Sequence, residues 1–171
     1  MRSKIIISAN GPDRKGIVSE ISSIIGHHNG NIETSKMIRL EREFAVLILI
    51  NIENNKIKKL HKSLNKIKDL YINIFETKTD KNIIYENKFH LYINGADNEG
   101  IVHKFSKYLS EININIDEVN TKIKNAPVSA TPLFMMDVII SSNKTVNKNS
   151  LNKKLNIIAE QLGVEVEIKK I

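Results

Sequence analysis

The chain has 171 residues, 41% of them hydrophobic and 26% charged, with a net charge of +7 and no cysteine. The missing cysteine excludes disulfides, thiolate nucleophiles and Cys-ligated metals and fits a cytoplasmic protein. The longest apolar run, Phe44 to Ile50, is strand length and far short of a membrane span, while Met1-Arg2-Ser3-Lys4 leads into an Ile5-Ile6-Ile7 run too short for a signal-peptide core.

In chain order, Ile5 to Ala9 reads as a buried strand, followed by the glycine loop Asn10-Gly11-Pro12-Asp13-Arg14-Lys15-Gly16. Ile17, Val18, Ile21, Ile24, Ile25 and His28 recur at three- and four-residue spacing, one face of a helix that Gly30 can end. Ile32, Thr34, Lys36, Ile38 and Leu40 alternate with polar neighbours, as a half-buried strand does. A tight turn at Glu41-Arg42-Glu43 joins it to a more buried strand from Phe44 to Ile52. Ile57, Leu60, Leu64 and Ile67 form a second helical stripe, and Tyr71 to Phe75 closes with a strand. The order β-α-β-β-α-β is the split βαβ, or ferredoxin-like, α+β unit with an antiparallel sheet.

Thr77 to Asn87 is polar and reads as a linker, after which the order repeats. Phe89, Leu91 and Ile93 form a strand, Ile101 to Ile112 a helix, Ile114 to Ile123 a strand and Leu133 to Ile140 its partner. Leu151, Leu155, Ile158 and Leu162 mark a helix with Ser150 or Asn147 as N-cap, and Val164 to Ile168 the last strand. Asn94-Gly95-Ala96-Asp97-Asn98-Glu99-Gly100-Ile101-Val102 lies 84 residues after Asn10 to Val18, and Asn29, Asn31 and Ile32 fall on Asn113, Asn115 and Ile116. Two modules are expected, 1–80 and 87–171. They differ at Asn125 to Pro132, where a longer loop with two prolines, which stop strand pairing, replaces the tight turn.

Gly11-x4-Gly16 and Gly95-x4-Gly100 have the glycine spacing of a P-loop but lack its Lys-Ser/Thr, and an acid sits inside each, which repels phosphate. A helix start offers open N–H groups to a carboxylate. Asp13 and Asp97 can receive an ammonium, and Asn31 and Asn115, expected beside the helix start, supply donors and acceptors. Such a set suits an amino-acid zwitterion. The alternative is structural, with the aspartates as N-caps and the glycines and asparagines as turn residues. The five histidines show no metal-ligand spacing; His28 reads as a covering side chain and Asp137 as solvent-facing. No nucleophile elbow or close acid pair is present, so no catalytic residue, metal or cofactor is expected. Residues 1–80 carry +5 and 81–171 +2, a mild Lys excess read as solvated surface. Lys56, Lys58, Lys59, Lys62 and Lys66 lie opposite the apolar stripe of their helix, and the strands lack stacking aromatics, so direct nucleic-acid binding is not expected.

Gly11-Pro12-Asp13-Arg14-Lys15-Gly16-Ile17-Val18, with Asn31-Ile32 fifteen residues after Gly16, resembles the ACT domain signature. Asp97-Asn98-Glu99-Gly100-Ile101-Val102 with Asn115-Ile116 resembles it again, with Ala96 and Glu99 in place of Pro12 and Lys15, so the first copy is the closer match. Two ACT modules together resemble the glycine cleavage system transcriptional repressor group. Formyltetrahydrofolate deformylases carry a similar N-terminal segment, followed there by a catalytic domain without counterpart here. The resemblance implies a non-enzymatic, cytoplasmic regulator that binds glycine or a similar small amino acid where two ACT domains pack. The contacts it implies are Asn10, Gly11, Asp13, Gly16, Ile17 and Asn31, and Asn94, Gly95, Asp97, Gly100, Ile101 and Asn115. It also implies a homo-oligomer, no membrane contact, and action through a protein partner such as a transcription factor or enzyme. The alternatives are a detached regulatory subunit of an amino-acid biosynthetic enzyme and a basic nucleic-acid-binding module.

Overall fold

The structure is a computed structural model that describes residues 1–77, 87–126 and 131–171. It divides into two compact units, Met1–Lys81 and Asn82–Ile171. In the first, β1 (Arg2–Pro12), α1 (Ile17–His27), β2 (Asn31–Leu40), β3 (Glu43–Glu53), α2 (Asn54–Leu64) and β4 (Tyr71–Glu76) form an antiparallel sheet of order β2-β3-β1-β4. In the second, β5 (Asn87–Ala96), α3 (Ile101–Glu111), β6 (Asn115–Asn125), β7 (Pro132–Ser142), α4 (Lys148–Leu162) and β8 (Val164–Lys170) give the order β6-β7-β5-β8. Each unit is the expected βαββαβ fold of the α+β class.

Period-two burial in the central strands and period-four burial in the helices build each core. Ile5, Ile7 and Ala9 of β1 and Phe44, Val46, Ile48, Ile50 and Ile52 of β3 are buried on the face that receives Ile17, Ile21 and Ile25 of α1 and Leu60 and Leu64 of α2. The second core repeats this with Phe89, Leu91 and Ile93 of β5, the β7 residues Phe134 to Ile140 in alternation, and Phe105, Leu109 and Leu155 from the helices.

Helix α1 ends differently from expectation. The left-handed residue is Asn29, at φ 56, and the N–H of Gly30 closes on the carbonyl of Ile25 at 2.9 Å. This is a Schellman-type cap in which Asn takes the position usually held by glycine. Asn113 does the same at φ 56, with Ile114 N–H on the Leu109 carbonyl at 2.9 Å, which explains why Asn29 recurs as Asn113. Of the two N-caps offered for α4, Asn147 serves, its Oδ1 accepting from the Ser150 N–H at 3.0 Å. His28 covers the helix end through Nε2, 3.0 Å from Ser63 Oγ.

Strand β2 departs most from its sequence pattern. Ile32 pairs with Ile50, but Thr34 pairs with Leu49, so Glu33 is the extra residue of a β-bulge. Paired residues share a face. Ile32, Ser35 and Met37 therefore face the helices, while Thr34, Lys36, Ile38 and Leu40 face the other side. The whole strand is exposed, not half-buried. Strand β6 bulges identically at Asp117.

The turn is the two residues Glu41 and Arg42, with Glu43 already paired to Leu40 in β3. Pro132 does not stop pairing; it opens β7 opposite Asn125, a strand's first position being open to proline. Residues 127–130 of that loop and 78–86 of the linker lie outside the described residues. Asn87 is part of β5 and buried, its amide donating to the Lys144 carbonyl at 3.2 Å.

The helix-free faces of the two sheets differ. In the first unit it carries Ile6, Ile38, Leu40, Leu47, Leu49 and Phe75 among polar residues such as Lys4, Ser8, Lys36 and Asn73. In the second it carries His90, Glu118, Lys122, Asp137, Glu165 and Glu167 around Tyr92, Met135 and Ile139, and so more charge. Asp137 is half-exposed, as the sequence suggested, with Oδ1 2.9 Å from His90 Nε2.

Phe105 is 0% exposed at the centre of the second core. Phe105→Ala should cost about 3–5 kcal/mol, read as an earlier urea transition of the second unit with the first unit's transition unchanged.

Candidate functional site

The repeated stretch is not one loop. Asn10, Gly11 and Pro12 continue β1, pairing with Ala45, Phe44 and Glu43, and Asn94, Gly95 and Ala96 continue β5. The connection to α1 is only Asp13 to Gly16, and to α3 only Asp97 to Gly100.

The two glycines of each copy do different work. A β-carbon on Gly11 would lie 2.1 Å from the Asp69 carbonyl oxygen, and one on Gly95 would lie 2.6 Å from Val164 Cα. Both seat the strand against the backbone that enters β4 or β8. Gly16 and Gly100 stand at φ 88 and φ 82, with nothing within 4 Å of a would-be β-carbon. They are the N-caps: Gly16 O accepts from Glu20 N–H and Gly100 O from Lys104 N–H, each at 2.9 Å. Glycine brings no side chain to cap either helix, so the first-turn N–H groups at these starts are open to an outside acceptor.

Asp13 is therefore not an N-cap. Its backbone N–H donates to the Arg42 carbonyl at 2.7 Å, and its Oδ2 lies 3.7 Å from Arg39 Nη1. The alternative reading of this residue is corrected: Gly16 in the left-handed conformation begins the helix, three residues too late for Asp13 to cap it. Arg14 pairs with Glu20 across the helix start. In the second copy Asp97 is exposed, and Asn98 ties the loop to the end of α4 by donating to the Leu162 carbonyl at 2.8 Å. Ile17 and Ile101 are buried in the cores at 2% exposure. Asn10 and Asn94 share the helix-free sheet face with Ala45 and Met135.

Asn31 and Asn115 do not stand beside the helix starts. The chain runs the full length of α1, 11 residues or about 16 Å, before β2 begins. Asn31 pairs with Asn51 at the far end of the sheet. There Arg2 Nε donates to Asn51 Oδ1 at 2.7 Å, and Lys4 Nζ lies 2.7 Å from the bulge residue Glu33. In the second unit Asn115 Nδ2 and the buried Ser141 Oγ both donate to Asp117 Oδ1 at 2.7 Å, so that bulge is closed by its own side chains. Within one unit, then, Asn10, Gly11, Asp13, Gly16 and Ile17 gather at one end and Asn31 at the other.

One feature has no counterpart among the sequence expectations. A slit of about 80 Å³ opens between α1 and the β2–β3 hairpin, with Ile21, Val46 and Ile48 on its floor. Val18, Ile32 and Met37 at its mouth are 46%, 41% and 48% exposed. Only the bulge at Glu33 brings Ile32 and Met37 onto one face, and the periodicity of the sequence conceals that. Among the described residues no cluster of three metal-ligating side chains occurs, and no helix is long and apolar enough to cross a membrane.

Gly11→Ala should unfold the first unit at markedly lower temperature, since the β-carbon meets backbone. Asp13→Ala should cost under about 1 kcal/mol, the loss of a largely exposed ion pair. Calorimetric melting of both variants checks the contrast. The Lys4 hydrogen bond, aided by Asn51, holds the exposed Glu33 carboxyl below its ordinary value against the opposing effect of burial. A depressed carboxyl stabilises above its unfolded value, roughly 4.3, and that contribution is lost as pH falls through the folded value. Glu33→Gln should flatten the acid limb of the first unit's melting temperature against pH.

Residues 3–74 match the ACT domain family. A UPF0237 protein of Methanopyrus kandleri is 34% identical over 65 residues, 37% of this chain and 72% of that protein. A UPF0237 protein of Methanocaldococcus jannaschii is 35% identical over 55 residues, 32% of this chain and 61% of that protein. A crystal structure of an unknown protein from Galdieria sulphuraria matches with a TM-score of 0.85 at 24% identity, covering 100% of this chain and 99% of the other. A candidate glycine cleavage system transcriptional repressor matches with a TM-score of 0.70 at 18% identity, covering 100% and 98%. These two share the fold through both repeats. The chain belongs to one family with the UPF0237 proteins, its first unit matches the ACT domain family, and its two-unit fold resembles that of the candidate glycine cleavage repressor.

Proposed function

We propose that the protein is a non-enzymatic regulator that senses a small amino acid and signals through a protein partner, by analogy with the glycine cleavage repressor-like protein it resembles in fold. The observation that carries this reading is the uncapped start of α1. Gly16 holds a left-handed turn with open space over it, leaving first-turn N–H groups for a carboxylate. Asp13 lies at the same end of the unit and offers an acceptor for an ammonium, while Asn10 stands at that end on the helix-free face. Asn31 is an α1 length away, so a site that also uses Asn31 draws it from a second copy of the chain set antiparallel to the first. Ligand binding then favours one assembly over another and so one state of the partner surface. A regulatory subunit of a biosynthetic enzyme would work by the same step, and the identity of a co-purifying partner separates the two.

One observation favours a second reading. Lys58, Lys59, Lys62, Lys66 and Lys68 on and just after α2 are exposed and have no acidic partner among the described residues. If they bind nucleic-acid phosphates, affinity falls steeply with salt.

Thermal denaturation with each proteinogenic amino acid at millimolar concentration tests the sensor reading. A ligand at a hundred times its Kd stabilises by about 2.7 kcal/mol. Gly16→Asn, which accepts the left-handed conformation but fills the open space, should melt near the parent and lose that shift. No shift with any amino acid, alongside a salt-dependent shift with duplex DNA, would replace the first reading by the second.

A further inference from the structure

We propose that the slit beside α1 receives the aliphatic side chain of the effector, so that the first unit senses a branched aliphatic amino acid in preference to glycine. This rests on the amino-acid-sensing reading above and names the ligand class for the same site. Val18, at the mouth of the slit, lies two residues beyond Gly16 in the first turn of α1. A zwitterion at the helix start thus has the opening within reach of its side chain.

The lining chooses the side chain. Two of the nine lining residues, Ser22 and Ser35, are polar and none is charged, so a charged side chain finds no counter-ion there, and most of the surface it would meet is apolar. The slit's volume of about 80 Å³ is near half that of a cavity that encloses a benzene ring, about 150 Å³, so it suits the branched side chain of valine, leucine or isoleucine better than an aromatic ring. The volume is likewise too small for a helix or strand of a protein partner. Glycine would leave an apolar slit empty.

The second unit supplies an internal comparison. By repeat and strand register, Ile21, Ser35 and Val46 correspond to Phe105, Val119 and Met136, all larger, while Met37 and Ile48 correspond to the smaller Thr121 and Val138. Phe105 and Met136 are buried at 0% and 1% exposure. At two of the three floor positions the second unit thus carries a larger, buried side chain.

Titration calorimetry on the full chain with leucine, isoleucine, valine, glycine and glutamate tests the proposal. The aliphatic ligands should bind at least about tenfold tighter than glycine. Ile21→Phe and, separately, Ser35→Val, each installing the second unit's residue, should remove that preference while leaving glycine affinity within about twofold. Ser35→Val lies on an exposed strand and keeps the test standing where Ile21→Phe disturbs folding. Glycine binding as tightly as leucine, or an aliphatic preference untouched by Ser35→Val, overturns the slit as the specificity pocket and leaves the sensor reading intact. Absence of binding by any amino acid overturns both. Loss of dimerisation in Ser35→Val by sedimentation, with unchanged ligand preference, assigns the slit to a side chain of a second copy instead.

Discussion

At the end of its central strand each unit brings backbone against backbone. Gly11 passes so close to the Asp69 carbonyl that no side chain fits between them, and Gly95 passes Gly163 and Val164 in the same way. This approach sets the last strand beside the first, which gives β1 and β5 neighbours on both sides. It leaves four residues to turn from strand to helix. A left-handed glycine completes the turn, and no side chain then caps the helix. The open helix start is thus a consequence of how the sheet closes.

A second backbone device sets the surfaces. The bulges at Glu33 and Asp117 reverse which residues of the edge strand look toward the helices. In the first unit this places Ile32 and Met37 over the slit and Ile38 and Leu40 on the opposite sheet face. In the second the corresponding sheet face is more highly charged, and Asn115, Asp117 and Ser141 bond to one another around the bulge. The repeat therefore preserves the residues that shape the backbone, namely the two glycines, the left-handed asparagine and the bulge position. It varies the side chains that meet solvent or ligand. On the proposed reading that divergence separates a sensing unit from one whose scaffold alone is retained.

Much of the fold was legible in the sequence because its determinants are local. Alternating apolar residues in β1 and β3, four-residue spacing in the helices and an 84-residue repeat are enough to give element order and core. Less of the candidate site could be read. Asp13 looked like an N-cap because it precedes a helix, yet the helix begins at Gly16, and the carboxylate turns to Arg39 across the hairpin. Asn31 looked adjacent to the helix start because the sequence distance is short, but an intervening helix converts fifteen residues into opposite ends of a unit. The slit was hidden because Ile32 and Met37 are five apart, a spacing that places them on opposite faces of any strand without a bulge.

By itself the sequence determined the two ferredoxin-like units, their cores and the glycines at each strand-to-helix connection, since hydrophobic periodicity and the steric freedom of glycine act within a few residues. Only the tertiary structure decided which glycine is packed and which is open, which end of a unit holds each asparagine, and which faces of the edge strands meet the helices. Those outcomes depend on contacts between Gly11 and Asp69, Asp13 and Arg39, or β2 and β3, whose partners come together only once the sheet has closed.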